Sequence, residues 1–389
     1  MDKRLVWLAM GTFAIGVEGF VISSLLPAIA GETGVSITEA GYLVLAYALA
    51  YAVGAPVLAT LTGAIDRRRT LVSAALVFSA GALLAGFAGS YWVLLAARLL
   101  MAFCAGLYFA TAQATAIAIA PPEQRARAIA IVVGGTTLAV ALGAPLGALI
   151  AGLAGWRGAY FAVAAIGIVA AVAIRLLLPA GLRGEKRTLR ERLAVLSVPG
   201  VRPALLTTLL FMTGPFVAFI YIAPLARSIG LGTEVLPVIL LAFGVGAAIG
   251  NYVGGQSSDR FGATQTVRVS IVVTAALLAL LSLIPLLPDG LAQPAFIAIM
   301  IPWGIAGWAF LPAQVSRLVS LTGPAAALVI SLNGSALYLG TALGAVVGGQ
   351  VLAQASVYEL GWIAAVFPVA ALWVLVASTS ERVVVARQG

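Results

Sequence analysis

The 389 residues include no histidine, a single cysteine (Cys104) and only 13 acidic side chains. Without histidine there is no His-containing catalytic triad, no His metal site and no His ligation of haem. One cysteine allows no internal disulfide. Charge is scarce altogether: 9% of residues against about a quarter in soluble domains. So few charged groups cannot cover a globule of this size, which excludes a cytosolic enzyme, a secreted domain and a disordered chain. No cofactor is expected.

What is present is apolar: 62% of residues are hydrophobic. A hydrocarbon core about 30 Å thick needs about 20 such residues per helix. Runs of that kind centre on 5–27, 41–62, 70–90, 92–118, 128–152, 159–179, 203–227, 235–254, 268–287, 294–315, 325–353 and 360–379. The expected fold class is therefore an all-α membrane protein with twelve transmembrane helices. Turn signals separate them at Gly31–Ala40, Ile65–Arg69, Pro121–Arg127, Gly155–Gly158 and Pro288–Gln293. The first run, with Lys3-Arg4 before it and Ala28-Ile29-Ala30 after it, superficially fits a signal peptide. It is too long and carries an acid, so it reads as a retained helix.

Lysine and arginine set the orientation. With a cytoplasmic N-terminus, nineteen of the 22 basic residues fall on the inner side. Only Arg157 and Arg227 fall outside, and Arg98 lies within a span. The formal charge of +9 is thereby a topology signal, and no nucleic-acid partner is needed to account for it. Both termini are expected in the cytoplasm, at a bacterial-type inner membrane.

The polar stretch Gly181–Val201 divides two sets of six spans. It reads equally as a surface-lying amphipathic helix or as a solvated linker. The expected organisation is a bundle over 1–180, a linker over 181–202 and a second bundle over 203–389. The halves repeat. Pro27 recurs as Pro224 and Asp66-Arg67 as Asp259-Arg260. The column Gly135, Ala139, Gly143, Gly147, Ala151 recurs as Ala336, Gly340, Gly344, Gly348. Small residues every fourth position share one helix face and let another backbone come close. Parallel six-helix repeats are a transporter's build.

Four kinds of stretch carry a family resemblance. Gly63-Ala64-Ile65-Asp66-Arg67-Arg68-Arg69 follows span 2, and Gly255-Gln256-Ser257-Ser258-Asp259-Arg260-Phe261-Gly262 follows span 8. Arg98 lies in span 4. Gly143-Ala144-Pro145-Leu146-Gly147 lies in span 5, ahead of Gly155-Trp156-Arg157. Gly11-Thr12-Phe13-Ala14-Ile15-Gly16-Val17-Glu18-Gly19-Phe20-Val21-Ile22 forms span 1. Together they resemble the major facilitator superfamily, in particular its twelve-span drug:proton antiporter branch and the sugar-efflux and chloramphenicol-efflux-like subgroup. The resemblance implies two pseudo-symmetric six-helix bundles. It makes Asp66, Arg67, Asp259 and Arg260 gate residues at the cytoplasmic side, and assigns Gly143, Pro145 and Gly147 to antiporters. Capping and solvation for the aspartates, and a packing kink for the proline, are the plain alternatives.

Glu18 and Arg98 are the two ionisable residues expected deep in the spans, where an isolated charge is costly. Counting about 1.5 Å per residue places Glu18 about 20 Å and Arg98 about 21 Å from the inner side, so the two reach one height. Glu18 reads as a proton-titrating carboxylate that meets substrate, or as half of a structural ion pair. Arg98 reads as its anchor, or as a donor to backbone carbonyls. Candidate substrate contacts at mid-depth are Tyr47, Tyr51, Tyr108, Gln113, Thr213, Phe216, Tyr221, Asn251, Trp303, Asn333 and Tyr338; each is alternatively helix–helix glue.

A cavity with one acid and few amides suits small amphipathic organic molecules better than phosphates or dicarboxylates. The leading expectation is export of drug- or sugar-like compounds in exchange for protons by alternating access. The alternative is proton-coupled symport or uniport of a nutrient such as a sugar or nucleoside. An intramembrane protease would need a second acid or a histidine within the spans. The expected partners are a small-molecule substrate, protons and membrane lipid, and the chain is expected to act as a monomer.

Overall fold

The computed structural model describes residues 2–121, 124–182, 189–288, 290–322 and 326–388. Its fourteen helices in those residues are α1 (Arg4–Thr33), α2 (Ile37–Leu61), α3 (Arg67–Gly86), α4 (Tyr91–Ile119), α5 (Arg125–Leu138), α6 (Ala144–Leu177), α7 (Leu189–Ala194), α8 (Val201–Phe219), α9 (Ile222–Ser228), α10 (Leu236–Phe261), α11 (Ala263–Leu281), α12 (Ala292–Thr322), α13 (Ala326–Gln354) and α14 (Glu359–Gln388). Among the described residues, eleven continuous helical stretches are long and apolar enough to cross a membrane. One of them, residues 128–177, is double length. Gly155 breaks it with a φ of 72° that a Cβ-bearing residue rarely adopts, so spans 5 and 6 meet at one residue. Large apolar side chains cover the outside, among them Trp92, Leu153 and Trp373. Only lipid tolerates such a surface, and closing each backbone hydrogen bond within its own helix is what allows the chain to cross.

The expected span boundaries need two corrections. Span 7 was read as one run, but the helix is interrupted at Ile220–Tyr221, between α8 and α9. Pro224 has no N–H to offer the Ile220 carbonyl, and the Tyr221 amide turns instead to Ala218 at 3.2 Å. In span 5, Pro145 likewise leaves the Ala141 carbonyl without its usual donor. The preceding turn, Ala139–Gly143, widens to π-helical geometry, and the Ala144 amide reaches back to Ala139. Of the polar stretch between the bundles, Arg183, Lys186 and Arg187 lie outside the described residues. After them come the single short helix α7 and Val195, which is buried with Val201, Ala204, Leu318 and Val329.

The chain forms two compact units, 1–189 with 232–244, and 190–231 with 245–389. Each is held by the same kind of seam. In the first, the small column of span 5 packs on α1: a Cβ on Gly143 would strike Val17, and one on Gly147 would lie 2.6 Å from Val21. Thr12 Oγ1 closes that seam by donating to the Val132 carbonyl at 2.6 Å. In the second unit, α13 packs on α8, and a Cβ on Gly344 would lie 2.9 Å from the Thr213 carbonyl oxygen. Tyr221 closes this seam by donating to the Ala345 carbonyl at 2.8 Å.

The loop before α3 is a clamp. Asp66 is the N-cap of α3 and accepts from the Arg69 amide at 3.2 Å and from the Gly181 amide. The Arg67 amide donates to the Leu182 carbonyl at 2.8 Å. Arg67 Nη1 donates to the Ala114 carbonyl at 2.8 Å, and Arg68 Nη1 to Leu178 at 3.2 Å. Burial alone would raise the Asp66 carboxyl, but the amides of Gly181, Arg69 and Arg68 and the Arg68 charge together hold it below the usual carboxylate range. The second copy differs. Asp259 was expected at the head of span 9, but it lies in the last turn of α10, exposed, and Gly262 is the N-cap of α11. Arg260 lies over the ring of Phe261, 5.2 Å from its centroid.

Two outcomes follow for the purified protein. Gly344→Ala forces a Cβ onto backbone and should cost about 1–3 kcal/mol. Gly334→Ala on the same helix meets open space and should gain about 0.4–1 kcal/mol. Thermal unfolding in detergent separates them, and equal midpoints would remove the seam. Asp66→Ala should lower stability by about 1 kcal/mol at neutral pH through the lost cap. Because the native carboxyl is held low, its contribution is complete above the unfolded value near 3.9 and fades as pH falls through the native value. The gap between wild type and variant should therefore close below about pH 4, and a gap that persists there would contradict the clamp.

Candidate functional site

Glu18, on α1, and Arg98, on α4, meet as the sequence depths require. Arg98 Nη1 donates to Glu18 Oε1 at 2.5 Å, with both side chains at most 1% exposed. Two charges enter this interior together because either alone would be prohibitively desolvated, and the Arg98 guanidinium fork supplies further donors. Its Nε donates to the Leu43 carbonyl of α2 at 3.1 Å, and Nη1 donates also to the Tyr160 hydroxyl of α6 at 3.0 Å. The ring of Tyr47, from α2, lies under the guanidinium, 4.9 Å from centroid to Cζ. Its hydroxyl sits at the Glu18 carboxylate. Glu18 Oε2 is buried with no well-formed hydrogen bond. Arg98 thus grips the carboxylate through one oxygen, with the Tyr47 hydroxyl beside it.

α1 holds Glu18 here by its packing. Gly16 and Val17 face the small column of span 5, and the same turn directs Glu18 toward α2 and α4. On α2, Tyr51 is buried one turn beyond Tyr47.

The remaining candidates fall into separate places. Tyr108 donates to the Leu8 carbonyl at 3.2 Å and packs on Gly11, so its hydroxyl serves the α1–α4 contact. Gln113 is half-buried on α4. Thr213 donates to its own helix at Leu209, 2.9 Å away. Tyr221 is committed to Ala345. Phe216 and Trp303 both pack edge-to-face on Phe219, with centroids 6.1 and 6.2 Å apart. Asn251 and Tyr338 are half-buried on α10 and α13. Asn333 Oδ1 accepts from Thr208 at 2.7 Å. Of the span 5 residues that the resemblance assigns to antiporters, Gly143 and Gly147 pack against α1 in the seam, and Pro145 follows the π turn.

Three features were missed. Tyr160 completes the Arg98 shell. Gln314 is fully buried on α12 and donates to the Ala204 carbonyl at 2.7 Å and to Thr208 at 3.0 Å, making an amide–hydroxyl–amide cluster with Asn333. Arg317 was counted as an inner-side topology residue, leaving two ionisable groups deep in the spans. It is itself 6% exposed and donates to Ser378 Oγ at 3.4 Å. Its signal was available: an arginine five residues inside the end of an apolar helix. Among the described residues no group of His, Cys, Asp and Glu side chains could hold a metal ion.

Comparison with known proteins agrees with this architecture. Residues 8–328 match the sequence pattern of the Major Facilitator Superfamily. The Escherichia coli K12 protein named Inner membrane transport protein YdhP is 34% identical over 362 residues, 92% of this chain and 91% of that protein. A Streptomyces lividans protein named Chloramphenicol resistance protein is 31% identical over 357 residues, 90% of each. In fold, the chain is similar to the crystal structure of a bacterial homolog of the human lysosomal transporter Spinster. The TM-score is 0.75 over 98% of each chain, at 17% identity. The protein is a multi-pass membrane transporter, not an enzyme, and belongs to the Major Facilitator Superfamily.

Proposed function

We propose that this transporter exports small amphipathic, drug- or sugar-like organic compounds in exchange for protons by alternating access. It would do so in the cytoplasmic membrane, with both termini inside. The observation that carries the reading is the buried Glu18–Arg98 pair with Oε2 of Glu18 left over. A proton arriving there cancels the negative charge. The desolvation cost of the carboxylate falls with it, while its attraction to Arg98 is lost. A site balanced this way gives up its proton when a bound compound favours the charged carboxylate paired with Arg98, which is exchange. Tyr47 and Tyr51 offer flat apolar surface with hydroxyl ends, suited to neutral or weakly polar ring compounds.

The name of the Streptomyces lividans relative supports a compound of chloramphenicol's size and polarity. One proton moving down about 100 mV supplies about 2.3 kcal/mol, enough for roughly a 50-fold gradient at about 1.4 kcal/mol per decade.

Membrane vesicles test the direction and the carrier together. With chloramphenicol and a panel of neutral amphiphiles, energised inside-out vesicles should accumulate at least one compound, and a protonophore should abolish the gradient. Glu18→Gln, present in equal amount, should lose most of this accumulation, up to the roughly 50-fold that one proton supports. Accumulation in right-side-out vesicles instead would point to symport. Equal accumulation by Glu18→Gln at every pH would remove Glu18 from the coupling.

A further inference from the structure

A flat ring for a compound to lie on needs no hydroxyl, yet the side chain at position 47 carries one and is only 3% exposed. Leu43 and Tyr47 are four residues apart on α2 and so share one face of that helix. Both serve the same guanidinium. The Leu43 carbonyl accepts from Arg98 Nε at 3.1 Å, and the Tyr47 ring lies under the guanidinium, 4.9 Å from centroid to Cζ. Arg98 is thus held against α2 at two points one turn apart, while its Nη1 holds Glu18. The ring is fixed by these contacts, and with it the hydroxyl on its edge, which stands at the Glu18 carboxylate. One buried side chain therefore meets both charges of the pair.

The two ends of Tyr47 respond differently to a proton on Glu18. Arginine keeps its charge whatever Glu18 does, so the ring face stays attracted to the guanidinium in both states. The hydroxyl end discriminates. A phenol O–H donated to an ionised carboxylate makes a charge-assisted hydrogen bond, whereas a protonated carboxyl offers a weaker acceptor and brings a donor of its own. The ring is therefore the fixed end, and the hydroxyl is the end that distinguishes charged from neutral Glu18.

We propose that Tyr47 is a positioning residue for proton exchange: anchored by its ring on Arg98, it directs its hydroxyl to the Glu18 carboxylate, so that a donor is already in place when the proton leaves. This rests on the reading of Glu18 as the proton carrier. The other titratable group facing the pair is Tyr160 from α6, which accepts from Arg98 at 3.0 Å. Span 5 presents Thr136, Ala139, Gly143 and Gly147 to this part of α1, and none of them titrates. Glu39, Tyr42 and Tyr91 lie at the outer ends of α2 and α4, with the Tyr91 hydroxyl donating to the Glu39 carbonyl. Cys104 and Tyr108 lie deeper on α4, the latter at Leu8.

Infrared difference spectroscopy of the purified full-length protein, titrated with acid and without substrate, tests this. The carbonyl band of protonated Glu18 is the one that Glu18→Gln removes. Tyr47→Phe keeps the ring on Arg98 and removes the donor, so the half-protonation pH of that band should rise by about half a unit or more. A 3-fluorotyrosine placed at position 47 keeps the shape and is a stronger donor, so it should lower the midpoint; it carries the test if Tyr47→Phe is not recovered folded. Tyr51→Phe, one turn further along α2, should leave the midpoint where it is. An unchanged midpoint in both position 47 variants, or an equal rise in Tyr51→Phe, overturns the proposal and leaves the carrier reading intact. If acid produces no band that Glu18→Gln removes, the carrier reading falls and this inference with it.

Discussion

Two opposite charges inside a membrane bundle are costly to put there and more costly to separate. Breaking such a pair by deleting one partner leaves an uncompensated buried charge, typically a loss of about 3–5 kcal/mol. In this protein the pair joins α1 to α4, and Arg98 extends the connection to α2 through Leu43 and to α6 through Tyr160. One guanidinium thus ties four of the six spans of the first unit at a single height. Neutralising Glu18 therefore acts on the contacts of the whole bundle as well as on a local charge.

That concentration of polar bonding requires rigid surroundings. Glu18 faces Arg98 only because Gly16 and Val17, on the other side of the same turn, are pressed against a span that offers almost no side chain. The second unit has the same seam but, among the described residues, no buried carboxylate. Its interior polar groups include the neutral cluster Thr208, Gln314 and Asn333, with Arg317 near the C-terminal end of α12. Equal scaffolds with unequal interiors suit a division of labour in which one half holds the titrating group and the other contributes hydrogen bonds and shape.

The parts that one-dimensional patterns encode were legible. Span number, the repeat, the small columns and the common depth of Glu18 and Arg98 all follow from periodicity and rise per residue. Features set by how helices rotate against one another were not. Tyr160 resembles any interfacial aromatic until α6 is placed against α4, and nothing about Gln314 announces that Thr208 will face it. Backbone exceptions were half legible. Pro145 signals a disturbed turn, but whether the helix kinks or widens to a π turn depends on neighbouring packing. Pro224 interrupts its helix, whereas Pro27, its repeat partner, sits inside α1 without ending it. The repeat also misled in one place. Asp66 caps a helix because its loop places it one residue before α3, whereas α10 runs past Asp259 and Gly262 takes the capping position.

The claim on which the account turns is that Glu18 takes up a proton during the transport cycle and gives it up when a compound binds. Counting protons released into weakly buffered solution on addition of a bound compound addresses it directly, with binding followed in parallel. Wild type should release a proton near pH 7 and Glu18→Gln none, while both still bind. Binding without release in the wild type, or the same release from the variant, would contradict it.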